Sequence, residues 1–266
     1  MRITSIRRPY RVHFHQRTTK MPENSLSRCS QCTSAVQCWP TDLPHGMFDH
    51  ISAAVLQRRR LVRGEHVQRQ GDTFKHVIAV CRGVLRTSMS TLEGGEQVTG
   101  FPMAGDFIGL DGVAHGTVGS DAMALGEAEV RIIPFASLET LARESRVMQR
   151  HIYRLMGQEI EGKQRAQLQL NHLRADGRVA SVLLQLSQRL AARGHSPSDI
   201  DLPMTRKDLG SLVRLTLESV SRALTRMAAA GILEVESRRV RILDHSALTR
   251  MATPAGMPLV GAGVLI

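Results

Sequence analysis

Short apolar runs separated by glycines dominate residues 47–136. Val77-Ile78-Ala79-Val80, Gly83-Val84-Leu85, Gln97-Val98-Thr99-Gly100-Phe101 and Val130-Arg131-Ile132-Ile133 predict strands, with turns at Gly71-Asp72, Gly94-Gly95 and Gly105-Asp106. Many short strands at this spacing predict a small antiparallel roll. The period then changes. Residues 137–173 have almost no Gly or Pro, and Met148, Ile152, Leu155, Met156 and Ile160 recur at spacings of three and four. That pattern predicts one long amphipathic helix with an apolar stripe. It exceeds an ordinary globular helix, so the five stripe residues predict a helix–helix dimer seam. Gly162, Lys163 and Gln164 weaken the seam in its middle; a helix lying on its own domain is the plainer alternative.

A further helix is predicted from an N-cap at Asp176, through Val179, Val182, Leu183, Leu186 and Leu190, to a stop at Gly194. After Pro197 come two short helical patterns and a hairpin-like run over residues 232–243. Thr205 can cap a first helix over 206–213 and Thr216 a second over 217–230, with a break short enough to set them at a steep angle. Glu218, Ser221 and Arg222 share one face of the second helix. Leu217, Val220, Leu224 and Met227 form the opposite, packing face. The exposed trio has specific chemistry. Arg222 can donate to O6 and N7 of guanine, Glu218 can accept from N4 of the paired cytosine, and Ser221 suits a neighbouring A·T pair. Arg206, Lys207, Arg238, Arg239 and Arg241 would hold phosphates, which position without reading sequence. A solvated helix face with an internal Glu–Arg pair is the bland alternative, and the caps and the basic hairpin weigh against it.

Charge agrees with this placement. The chain carries a formal +11 with a pI near 10.6, and its last third is basic. That favours a polyanion partner. Hydrophobic residues make up 42% of the chain but aromatics only 3%, so the core is built from aliphatic side chains and Met. No apolar run is long enough to span a membrane, and no apolar segment follows the basic N-terminus as a secretory signal requires. A cytoplasmic protein is expected. Residues 1–24 lack apolar periodicity and predict a disordered basic arm; an organellar presequence or a start at Met21 would also suit them. The remaining divisions are a cysteine-rich segment and roll over 25–136, a dimerisation helix over 137–173, a DNA-binding module over 174–250 and a tail over 251–266.

Three of the four cysteines cluster as Cys29-x-x-Cys32-x5-Cys38. In a reducing compartment such clustering suits a metal site or a redox pair more than a disulfide framework. Three thiolates could serve an iron–sulfur cluster, zinc with His45 as a fourth ligand, or a Cys29–Cys32 redox couple.

Taken together, these motifs resemble one family. Met-Thr-Arg-Lys-Asp-Leu-Gly (204–210) with Thr-Leu-Glu-Ser-Val-Ser-Arg (216–222) resembles the winged helix-turn-helix of the Crp–Fnr regulators, and the E-x-x-S-R form resembles its Fnr branch. Gly-Glu-Gln-Val-Thr-Gly-Phe-Pro-Met-Ala-Gly-Asp-Phe-Ile-Gly (95–109) resembles the roll of the oxygen-sensing Fnr proteins, and Arg-Leu-Met-Gly-Gln-Glu-Ile (154–160) their dimerisation helix. The resemblance runs from about residue 27 to 249. It implies an α+β fold with a cyclic-nucleotide-binding-like N-terminal β-roll, a long dimerisation helix and a C-terminal winged helix-turn-helix. It also implies a homodimer on a palindrome resembling TTGAT-N4-ATCAA, activation through RNA polymerase, and a [4Fe-4S] cluster whose first three ligands match Cys29, Cys32 and Cys38. The family's fourth cysteine falls on Arg131, which cannot be a ligand. If the roll follows the family, the strand of Cys81 neighbours that of Arg131, so Cys81 could substitute; Asp111, His115, a missing ligand, or Cys81 as a mere packed side chain stay open.

Other function classes fare worse. The roll resembles a cyclic-nucleotide fold, but no Lys or Arg lies between Gly109 and Arg131, and Asp111 and Asp121 would repel a phosphate. No nucleophile elbow, phosphate loop or zinc-hydrolase motif supports an enzyme. A scaffold without DNA binding would leave the basic helical module unexplained.

Overall fold

The computed structural model describes residues 38–254 apart from 41, 44, 45 and 91–93. Cys29, Cys32, His45 and the expected arm and tail therefore lie largely outside the described residues. A short helix, α1 (Met47–Ala54), leads into eight strands: β1 (Gln57–Leu61), β2 (His66–Gln68), β3 (His76–Arg82), β4 (Leu85–Ser90), β5 (Glu96–Gly100), β6 (Phe107–Ile108), β7 (Asp121–Ala124) and β8 (Ala128–Pro134). They form two antiparallel four-stranded sheets, ordered β1-β8-β3-β6 and β2-β7-β4-β5. Leu61, Ile78, Val80, Leu85, Ile108, Ala122 and Val130 fill the space between the sheets. The expected antiparallel roll is present. Strand β3 is apolar on both faces because both are covered: Ile78 and Val80 meet the inter-sheet core, while Val77 and Ala79 meet a second layer with α1, Cys38 and Trp39.

The expected single helix over 137–173 is two. Helix α2 (Phe135–Glu144) ends at Ser145, whose extended backbone breaks the run and whose hydroxyl accepts the Met148 N–H as N-cap of α3 (Arg146–His172). A buried serine with a neighbouring helix on each side is a cap rather than a helix interior. The following helix α4 (Ala175–Ala191) is capped at Arg174, not at Asp176. Asp176 sits in its first turn and holds Arg226 through Nε at 2.9 Å.

The C-terminal module adds β9 (Asp199–Asp201), α5 (Arg206–Val213), α6 (Leu217–Ala229), β10 (Leu233–Glu236), β11 (Arg239–Ile242) and α7 (His245–Ala252). Its sheet order is β10-β11-β9. Val179, Leu183, Leu209, Val220, Leu224, Met227, Val240 and Leu248 make one apolar core, and Val98, Phe101 and Met103 of the roll enter the same core. The roll is thus packed onto the C-terminal module. Polar contacts reinforce this packing. Asp106 accepts from Arg193 at 2.9 Å and from Arg189, Arg189 also donates to the Phe101 carbonyl, and Arg86 of β4 reaches Asp208 of α5 at 3.1 Å. Asp106 and both of its guanidinium partners are nearly buried. Among the described residues, no helix is long and apolar enough to cross a membrane.

Candidate nucleic-acid interface and sensor segment

Helices α5 and α6 are built by local chemistry. Thr205 caps α5 in a full capping box with Asp208, and Thr216 caps α6 by accepting the Ser219 N–H at 3.2 Å. Between them Arg214 adopts a left-handed conformation, φ 54°, which lets the Leu215 N–H close on the Gly210 carbonyl at 2.8 Å. Gly210 is required here: a Cβ would stand 2.6 Å from the Leu215 carbonyl oxygen.

Val220, Leu224 and Met227 of α6 are buried, as expected, but Leu217 is 46% exposed. As the first residue of α6 it precedes the turn that packs on α5, so it faces outward beside Glu218. Glu218 and Arg222 are exposed and Ser221 is half-buried. The Glu218 carboxyl is held below its ordinary range by its own backbone N–H, the Thr216 hydroxyl and the Arg222 charge, so it stays ionised. Arg222 also donates to the Ser219 hydroxyl, at 3.3 Å. Ser221 accepts from Arg206 at 3.3 Å, which joins α5 to the reading face.

The five expected phosphate-holding residues separate into two groups. Lys207 is exposed at the start of α5, Arg206 lies beside Ser221, and Arg238 donates to the Pro203 carbonyl at 3.1 Å. Arg239 and Arg241 instead pair with Asp199, at 3.7 and 3.1 Å, and Arg241 also with Glu234 at 3.0 Å. Strand β9, unexpected from the sequence, supplies that aspartate.

Of the expected cluster ligands, Cys38 and Cys81 are described, and both are buried. Cys38 belongs to the layer formed by Trp39, Val77, Ala79, Leu138, Met148 and Ile152. Strand β3 neighbours β8 as expected, with Ala79 opposite Arg131, and Cys81 is the extra residue of a bulge between Val80 and Arg82. The other two candidates are placed differently. The Asp111 carboxylate accepts the Gly119 N–H at 3.0 Å, and His115 is exposed on the loop beyond it. Among the described residues, no three His, Cys, Asp or Glu side chains converge as a metal site.

One connection was not foreseen. His151 of α3 is buried; its Nε2 lies 2.9 Å from the Cys38 carbonyl and its Nδ1 2.8 Å from Arg154. Burial and the adjacent Arg154 charge lower its pKa to about 4, so the ring is neutral at physiological pH. Arg154 can only donate, which leaves Nδ1 as acceptor and puts the proton on Nε2, toward Cys38. Trp39 packs against Phe107 and His151 at the same point. A lone histidine inside an apolar helical stripe carries no sequence signal for this role.

The expected dimer stripe also divides. Met148 is fully buried and Ile152 nearly so in the roll's own layer, because α3 begins against α2 and β3; neither can meet a partner. Leu155 and Met156 are half-buried against that layer, while Ile160 is 59% exposed. Tyr153, Ile160 and Leu168 are the exposed large apolar residues of α3 and, with Met156, recur at helical spacing along one side.

Comparison with known proteins agrees with both halves of the molecule. The cyclic nucleotide-binding domain family matches residues 58–145 and the Crp-like helix-turn-helix domain family residues 177–251. The chain is 38% identical over 233 residues to the transcriptional activator protein FnrA of Stutzerimonas stutzeri, covering 88% of this chain and 96% of that protein. It is 36% identical over 235 residues to the transcriptional activator protein anr of Pseudomonas aeruginosa, with the same coverage. The solved structure of FixK2 from Bradyrhizobium japonicum superposes with a TM-score of 0.68 at 27% identity, covering 75% of this chain and 98% of that one.

Proposed function

Because the chain belongs to the Crp–Fnr family of DNA-binding transcription regulators and is not an enzyme, we propose that it is an Fnr-type activator, cytoplasmic and homodimeric, that reads a palindrome resembling TTGAT-N4-ATCAA and answers to oxygen through a cysteine-held iron–sulfur cluster. The observation that carries the DNA reading is α6 itself: capped by Thr216, with Glu218 ionised and Arg222 exposed four residues on. Arg222 donates to guanine and Glu218 accepts from the paired cytosine, each compensating the other's charge in the groove. Arg206, Lys207 and Arg238 hold phosphates; Arg239 and Arg241 keep the wing on β9.

In the dimer, Tyr153, Met156, Ile160 and Leu168 of each α3 meet the same residues of the partner chain, and the two recognition helices enter successive major grooves. RNA polymerase is the partner once the dimer is seated.

For the cluster, Cys29, Cys32 and Cys38 with Cys81 would supply four thiolates. Two members of this set are described, and both are buried thiols, Cys38 in the apolar layer on β3 and Cys81 on β3, a ligand chemistry that suits a soft metal centre. A bound [4Fe-4S] cluster supplies oxygen-sensitive redox chemistry. The chain's own part is transmission. Cys38, held as a ligand, presents its carbonyl to the His151 N–H, and Trp39 fixes the ring. A displacement of Cys38 would take that acceptor from His151 and an anchor from the start of α3, and so would weaken the dimer seam.

Absorption spectra with iron and sulfide content, taken on protein purified without air, test this reading. The wild type should be brown with about four irons and four sulfides per chain, and Cys81→Ala should lose most of the chromophore. A zinc-containing, colourless protein would overturn the cluster; a fully coloured Cys81→Ala protein would overturn the fourth ligand alone.

A further inference from the structure

Three arginines from three separate segments line one concavity of about 410 Å³ at the junction of the roll and the C-terminal module: Arg63, Arg206 and Arg238, together with Leu202, Met204, Thr205 and Ser237. Among the described residues no carboxylate lines it. Arg206 donates to the Ser221 hydroxyl and Arg238 to the Pro203 carbonyl, both neutral acceptors, and among the described residues neither is in an ion pair. Arg63 comes from the roll, in the turn between β1 and β2. That turn is braced. Gly64 takes φ 85° and donates to the Ala124 carbonyl at 2.8 Å, and Glu65 bonds the Val62 N–H at 3.2 Å. The one acid of the turn, Glu65, is engaged by Arg59 at 2.5 Å, so it does not neutralise Arg63. Arg63 is thus an exposed cation on a rigid mount, set beside two residues of the DNA-binding module.

We propose that this concavity seats the sugar–phosphate backbone of the bound DNA and that Arg63, a residue of the sensor roll, is itself a phosphate contact. Three arginines around one concavity, none of them in an ion pair among the described residues, suit phosphate, and the space exceeds what a lone small anion fills. The sensor domain then contributes directly to DNA affinity, and any shift of the roll against the C-terminal module alters that contact as well as the dimer seam. The inference rests on the DNA-binding reading above and extends it to a different domain.

The test measures DNA affinity of the full-length protein, purified without air, between about 50 and 200 mM salt, for the palindrome and a scrambled duplex. Arg63→Ala should weaken both duplexes alike, by roughly tenfold at the lower salt, and reduce the slope of log K against log salt by about two for a dimer losing two phosphate contacts. Arg63→Lys should restore most of the slope. Duplexes with single neutral methylphosphonate linkages locate the contact: one position should weaken the wild type yet leave Arg63→Ala unaffected. An unchanged slope in Arg63→Ala overturns the proposal. So does saturable binding of pyrophosphate to DNA-free protein that Arg63→Ala abolishes while the DNA slope stays intact, because the concavity then serves a free phosphate ligand. Arg222→Ala is measured in parallel: if it keeps the palindrome preference, the recognition-helix reading has failed independently of Arg63.

Discussion

Arg222 and Glu218 project exposed from α6, the arginine donating to the Ser219 hydroxyl and its charge acting on the ionised Glu218. Their neighbour Leu217 is the exposed apolar member of that surface. Truncating Arg222 should therefore cost discrimination, not the general attraction to DNA. Arg222→Ala is expected to lose about 1–3 kcal/mol of palindrome-over-scrambled preference, roughly 10- to 100-fold, while its affinity for scrambled duplex stays near wild type. Fluorescence anisotropy on the two duplexes reads both quantities. The residue scale was partly legible in the sequence. Thr205, Thr216, Glu218 and Arg222 lie where spacing and capping chemistry place them, because those signals act within one helical turn. Arg63 and His151 were not, because their roles come from partners distant in the chain: Arg206 and Arg238 for one, Cys38 for the other.

At the level of elements, strands with apolar alternation or continuous apolar runs were visible, and β1 was not. Its Gln-Arg-Arg-Arg-Leu sequence looks like a solvated basic run, yet Arg58 is neutralised by Glu129 at 2.5 Å and Arg59 by Glu65, which lets the strand pair with β8. Helix α3 shows the complementary limit. Its apolar stripe was evident, but periodicity cannot say which part faces home. The first two turns bury Met148 and Ile152 against the roll, and only the later part of the helix offers Ile160 and Leu168 to a partner. A charge placed in that later stripe should therefore disrupt association without disturbing the fold. Ile160→Glu is expected to shift the protein from dimer to monomer at micromolar concentration in analytical ultracentrifugation, with a circular dichroism spectrum like that of the wild type. Retention of the dimer would move the seam elsewhere.

For the molecule as a whole, the decisive feature is that the roll and the reading module share a core. Val98, Phe101 and Met103 enter the C-terminal hydrophobic cluster, and Asp106 ties Arg189 and Arg193 across the same junction. No sequence pattern announces such a junction, since each side carries only the residues of its own fold. Removing the central carboxylate would leave two nearly buried guanidinium groups facing a neutral amide. Asp106→Asn should cost about 3–5 kcal/mol, in line with breaking a buried pair from one side, and calorimetry should resolve separate transitions for the roll and the C-terminal module. A single transition at the wild-type temperature would mean that the apolar contacts alone couple the two. The proposed sensing would use the same coupling as its route to DNA: Cys38 to His151, α3 to its partner, and the roll to the reading module.

The most direct test of this account is equilibrium binding of the full-length protein to the palindrome and to a scrambled duplex, measured under argon and again after exposure to air. Tight binding of the palindrome under argon, its loss in air, and weak salt-dependent binding of the scrambled duplex in both conditions are the predicted result. Equal affinity for the two duplexes in both atmospheres would contradict it.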